Sequence, residues 1–107
     1  MAEELPVREA HRAWQAGELA IVDCRERDEH DATRVPGVPL IPMSEFLERI
    51  DELPEGPLAI LCRSGSRSAQ VADYLTATGE RDEVANVEGG IIAWAAEGLP
   101  YEGEIPR

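Results

Sequence analysis

The chain predicts an α/β fold with a parallel sheet covered by helices on both faces. Three observations carry this expectation. Short apolar runs, Leu19-Ala20-Ile21-Val22, Leu58-Ala59-Ile60-Leu61-Cys62 and Val84-Ala85-Asn86-Val87, alternate with segments of helical period. The loops between strands and helices are short, and that alternation implies a parallel sheet. The runs are also nearly apolar throughout instead of alternating, which suits strands buried on both faces. At 107 residues and 43% hydrophobic content, the whole chain (1–107) reads as one domain with a single core over about residues 5–102.

Each element follows from local chemistry. Residues 6–17 predict a first helix: Pro6 suits an early helical position, Val7, Ala10, Ala13 and Trp14 share helical spacing, and Gly17 ends it. Residues 19–22 predict a buried strand running into Asp23-Cys24-Arg25. The charged stretch 26–34 predicts a surface turn or short helix, followed by the tight connection Val35-Pro36-Gly37-Val38 and a brief strand at Leu40-Ile41. Ser44 is placed to cap a helix reaching about Leu53, with Phe46, Leu47 and Ile50 turned inward. Pro54-Glu55-Gly56-Pro57 breaks the chain before the central strand 58–62. Residues 66–78 predict a helix stopped by Gly79, residues 84–87 another strand, and Gly89-Gly90 opens a last helix closed by Gly98 and Pro100. The tail 101–107 has no pattern and reads as poorly ordered. Ligands on such sheets bind at the carboxyl ends of strands, where Cys24 and Cys62 both fall.

Charge narrows the partners. The chain carries 22 acidic and 10 basic residues, a net charge of −12, so nucleic acid and anionic membrane surfaces are poor partners. Between Gly56 and Ala72, however, there is no acidic residue, while Arg63 and Arg67 are both present. A cationic island in an acidic protein suits a small anionic substrate. Two cysteines are too few for a disulfide framework, and no Cys/His spacing suggests a metal site. No run approaches the roughly 20 apolar residues that span a bilayer, and the acidic N-terminus does not read as a signal peptide. A cytoplasmic, reducing setting is expected.

The most informative stretch is Ile60-Leu61-Cys62-Arg63-Ser64-Gly65-Ser66-Arg67-Ser68. A buried segment ends in a cysteine, a Gly/Ser turn follows, and a helix begins directly after it. Successive backbone N–H groups in such a turn converge into an anion-binding nest, and the helix presents its positive end to the same point. Such surroundings lower a cysteine pKa from about 8.5 to roughly 3.5–7.5. Cys62 is therefore the candidate nucleophile.

Taken together with the strand Ile21-Val22-Asp23-Cys24-Arg25, the connection Val35-Pro36-Gly37-Val38, and the ending Asn86-Val87-Glu88-Gly89-Gly90-Ile91-Ile92-Ala93-Trp94 before Gly98-Leu99-Pro100, this loop resembles a single-domain rhodanese, a sulfurtransferase. The resemblance covers nearly the whole chain. It implies a three-layer α/β/α fold around a five-stranded parallel sheet. It also implies transfer of a sulfane sulfur from thiosulfate or a persulfide donor, through a Cys62 persulfide, to cyanide or a thiol. By position, the backbone amides of Arg63, Ser64, Gly65, Ser66, Arg67 and Ser68 cradle the persulfide. Arg63 lies where a cationic substrate contact is common, and Asp23, Arg25 and Arg67 organise the site from beneath. No metal and no organic cofactor is called for, because a depressed thiol pKa and donors aimed at the anionic sulfur supply the chemistry.

Several residues invite competing readings. The family commonly has Gly-His where Thr33-Arg34 stands here, in a segment that shapes a wall near the site. Phosphatases and arsenate reductases of related fold separate Cys and Arg by five residues. Here four lie between Cys62 and Arg67, and the tighter ring suits a single sulfur atom. Cys24 reads as a small buried hydrophobe, with resolution of the persulfide or a disulfide to Cys62 as the competing role. His11 and His30 read as solvated surface residues, Trp14 and Trp94 as core. Asp23 and Arg25 read at least as readily as a structural ion pair as direct participants, and Arg67 as a loop brace ahead of a substrate contact. The competing function is a sulfur-relay module that accepts persulfide from a protein donor with little activity on thiosulfate.

Overall fold

The computed structural model describes residues 2–106. The chain begins with β1 (Glu3–Leu5), α1 (Val7–Gln15) and β2 (Ala20–Asp23), then α2 (Arg27–Ala32) and a two-residue β3 (Thr33–Arg34). After two 3-10 turns at Met43–Glu45 and Leu47–Glu52 come β4 (Leu58–Leu61), α3 (Ser66–Ala77), β5 (Val84–Val87), α4 (Gly90–Ala96) and β6 (Glu102–Gly103). The main sheet is parallel, in the order β1-β5-β4-β2.

The sheet has four strands where five were expected. The place of the fifth, beside β2, is held by the segment around Leu40, which makes a single parallel bridge to Asp23. Its backbone bonds are real: Asp23 N–H donates to Pro39 at 2.9 Å, and Ile41 N–H donates to Asp23 at 2.9 Å. Pro36, Pro39 and Pro42 remove three donors from this stretch, so no longer ladder forms.

Alternate residues of the central strands feed two cores. Ile21, Ala59 and Leu61 pack with Val7, Ile91 and Trp94 beneath α1 and α4. Val22, Leu58 and Ile60 pack with Leu75 of α3 and Phe46 of the 3-10 turns, and Cys24 and Cys62 lie on this same face. Each fully buried large apolar side chain of this kind contributes about 1.5–3 kcal/mol.

The helix predicted from Ser44 is instead the pair of 3-10 turns. Ser44 does not cap them: its hydroxyl and its N–H both donate to the Glu26 carboxylate, at 2.7 and 3.1 Å. Phe46 is buried, but Leu47, expected to face inward, is 64% exposed, because a 3-10 turn rotates successive side chains differently from an α-helix. The tail is also more ordered than its sequence suggests. β6 pairs antiparallel with β3, and the N–H of Glu104 donates to Ala32 at 2.8 Å. His11 is half-buried, packed edge-on against Trp94 with ring centroids 5.4 Å apart, and is not a solvated residue. β1 had no sequence signal, since Glu3 and Glu4 are exposed on an edge strand.

Candidate active site

Cys62 follows the last residue of β4, and α3 begins at Ser66, so the loop between them is only Cys62-Arg63-Ser64-Gly65. Two backbone constraints shape it. Gly65, the residue before α3, has φ +102°, and a side chain there would bring a Cβ within 3.2 Å of the Gly89 nitrogen. At Gly90 a Cβ would lie 2.5 Å from the carbonyls of both Cys62 and Arg63. Those carbonyls accept the N–H groups of Ile91 (2.9 Å) and Ile92 (3.2 Å), so the start of α4 holds the loop from below.

The buried Cys62 Sγ accepts the Gly65 N–H at 3.1 Å and lies 3.2 Å from the Ser68 hydroxyl. Burial alone pushes this thiol up. The Ser68 hydroxyl and the backbone N–H groups of Ser68, Gly65 and Ser64 outweigh it and bring the pKa below the ordinary value. The N-terminal end of α3 adds its positive dipole at the same place. Cys24 is the opposite case. It sits beside Cys62 across the sheet, its N–H donating to Leu61 at 2.9 Å. Burial, then the neighbouring Cys62 and Asp23, push its thiol far up, opposed by Arg67.

Two ion pairs lie near the loop. Asp23 and Arg25, each 1% exposed, pair at 2.8 Å. Asp23 also accepts the Arg25 N–H, while the guanidinium donates onward to the carbonyls of Thr33 and Glu29. This satisfies a buried charge that would otherwise be costly. Arg67 binds Glu29 through two hydrogen bonds of 2.7 Å. The Arg67 guanidinium, aided by the Glu26 N–H and against partial burial, holds the Glu29 carboxyl at about 2.

A cavity of about 400 Å³ adjoins the loop, lined by Arg63, Arg25, Glu29, Thr33 and the tail residues Glu104 and Ile105. Thr33, where the family's usual Gly-His begins, is buried, and its hydroxyl has no hydrogen-bond partner among the described residues. A hollow of similar size lies at the opposite ends of the strands, bordered by Leu58 and Val84, and contains no cysteine.

The strand-end cysteine is enclosed by amides, and the rhodanese-like domain family matches residues 7–97. The chain belongs to that family. Over 92 residues it is 39% identical to a sulfurtransferase of Allochromatium vinosum, covering 85% of each chain. Among solved structures, a rhodanese-like domain protein of Staphylococcus aureus is similar with a TM-score of 0.79 and 32% identity, over 95% of this chain and 98% of that one. A thiosulfate sulfurtransferase of Pseudomonas aeruginosa is similar with a TM-score of 0.83 and 26% identity, over 95% of this chain and 20% of that one.

Within this rhodanese-like frame, the structure gathers Cys62, Ser64, Gly65 and Ser68 around one sulfur, with the Asp23–Arg25 pair at the end of the neighbouring strand β2. Ser66 is exposed at the first position of α3, and the Arg67 side chain joins Glu29 rather than the sulfur. Three further residues belong to the site. Glu29 holds Arg67. Asn86, buried on β5, accepts the Ser68 hydroxyl and donates to the Gly65 carbonyl at 3.0 Å. Glu4, on β1, accepts from the Asn86 amide at 2.9 and 3.1 Å. A polar Asn inside the apolar run 84–87 was the signal available for the second of these, since a buried amide needs partners. No helix among the described residues is long and apolar enough to cross a membrane.

Proposed function

We propose that this chain moves a sulfane sulfur from thiosulfate or a persulfide donor to cyanide or a thiol through a persulfide on Cys62. The observation that carries the reading is the convergence of the Gly65 N–H and the Ser68 hydroxyl on the buried Cys62 sulfur. The Cys62 thiolate attacks the outer sulfur of thiosulfate, the S–S bond breaks, and sulfite leaves with the electron pair. The terminal sulfur of the new persulfide is anionic, and the amide and hydroxyl donors of the loop stabilise it without a separate base. A thiophilic acceptor then attacks that terminal sulfur, giving thiocyanate from cyanide or a new persulfide from a thiol. The Cys62 thiolate is restored.

Kinship with named sulfurtransferases supports sulfur transfer in general, and the thiosulfate preference is this proposal's own. Steady-state thiocyanate formation tests it. Parallel double-reciprocal lines across thiosulfate and cyanide concentrations are expected, the pattern of two half-reactions joined by a covalent intermediate. If thiosulfate gives no turnover while a cysteine desulfurase loads Cys62 with sulfur, the protein is a relay module and the thiosulfate assignment fails.

A further inference from the structure

The Ser68 hydroxyl has one proton and two claimants. Its oxygen lies 3.2 Å from Cys62 Sγ and also hydrogen-bonds the side-chain carbonyl of Asn86. A hydroxyl donates once and accepts twice, so it cannot donate to both at the same time. The orientation of the Asn86 amide is fixed by its other end. Its NH2 group donates to the Gly65 carbonyl and to the Glu4 carboxylate. A flipped amide would set its carbonyl against those two acceptors while turning a donor toward Ser68.

We propose that Asn86 is a positioning residue for the Cys62 sulfur: its carbonyl holds the Ser68 proton while Cys62 is a thiol and gives it up to sulfur when Cys62 is anionic. In the thiol state, Cys62 S–H donates to Ser68, and Ser68 donates to Asn86. In the anionic state the Ser68 O–H turns to the sulfur, and the buried Asn86 carbonyl loses its donor. That loss opposes ionisation. Asn86 therefore limits how far Ser68 lowers the thiol pKa, and Glu4 maintains the arrangement by fixing the amide. The other charged or titratable groups around the sulfur are Arg63 and Arg67 from the loop and α3, and Cys24 and the Asp23–Arg25 pair at the end of β2. Arg67 directs its guanidinium to Glu29 and Arg25 directs its own to Asp23, so neither takes the Ser68 hydroxyl.

The same exchange acts on a persulfide anion only if the sulfur-transfer reading holds; the thiolate itself is measurable without it. Ultraviolet titration of the thiolate in the full chain tests the inference, because the Cys24 thiol is pushed far above Cys62 and does not interfere. Ser68→Ala is expected to raise the Cys62 midpoint by about half a pH unit or more, and Asn86→Leu to lower it by a similar amount. In the double variant the Asn86 effect disappears, because Asn86 acts through Ser68. Glu4→Ala, at an exposed position, is expected to give a smaller fall at raised salt, where its charge is screened. That fall also disappears with Ser68→Ala. The inference is overturned if Asn86→Leu leaves the midpoint unchanged or raises it, or if either fall persists without the Ser68 hydroxyl. Failure of the sulfur-transfer reading would appear separately, as a chain that titrates this way yet never takes up sulfur.

Discussion

Arg67 and Glu29, separated by 38 positions in sequence, meet through two 2.7 Å hydrogen bonds that tie the first turn of α3 to α2. The Arg67 guanidinium is thereby committed to a carboxylate of this chain. Both partners are about 30% exposed, so the pair sits at the edge of the site, neither dry nor fully solvated.

Removing that tie should slow chemistry without unfolding the protein. Glu29→Gln keeps the shape of the side chain but not its charge, and a partly exposed pair of this kind is worth about 1 kcal/mol. If the loop donors depend on it, sulfur uptake by Cys62 slows about fivefold. Single-turnover uptake measured by rapid quench checks this, and an unchanged rate would make the pair ornamental to the reaction.

The same pair sets an acid dependence. The folded Glu29 carboxyl lies at about 2, against an ordinary value of 4.5, held there first by Arg67. A depressed carboxyl adds stability that is fully present above about 4.5 and is lost as pH falls toward about 2. Solvent screening limits the contribution to about 1 kcal/mol or less. Urea denaturation across that window should show a loss in the wild type that Glu29→Gln does not show.

Asp23→Ala should be far more damaging. It leaves the Arg25 guanidinium, 1% exposed, without its carboxylate. Breaking a buried pair from one side costs about 3–5 kcal/mol. Chemical denaturation checks this, with Asp23→Asn expected to lie between the two because it keeps an acceptor for the Arg25 N–H.

Cys24→Ser should retain most sulfur transfer. Burial and the adjacent Cys62 keep the Cys24 thiol protonated, so it is a poor nucleophile although it sits beside Cys62. In the native protein a thiol-directed alkylating agent should label Cys62 and leave Cys24 untouched, as peptide mass mapping would show. Equal labelling of the two would contradict the assigned environments.

The central strands and the helices after them were legible because their signals are local: apolar runs, Gly breaks and helical spacing around Val71 and Leu75. The same locality made Cys62 and its amide donors readable, since a cysteine before Gly65 and a helix start folds into a nest from its own sequence. What was not legible depends on chain brought from elsewhere. Glu29 stands in a stretch of charges that looks like solvated surface until α3 delivers Arg67 to it. Asn86 acquires its role only when β5 lies beside Ser68, and Glu4 only when β1 is added at the sheet edge. The tail looked shapeless because two-residue β6 depends on pairing with β3, not on any propensity of its own. Leu47 misled for a related reason: helical spacing was read where prolines and Ser44's bond to Glu26 favour 3-10 turns.

The most direct measurement is the intact mass of the chain before thiosulfate, after thiosulfate, and after cyanide is added to the washed product. A gain of one sulfur atom on wild type and Cys24→Ser, absent from Cys62→Ser and removed by cyanide, is the expected result. A mass that thiosulfate and persulfide donors both leave unchanged, or a sulfur that persists in Cys62→Ser, would contradict Cys62 as the sulfur carrier.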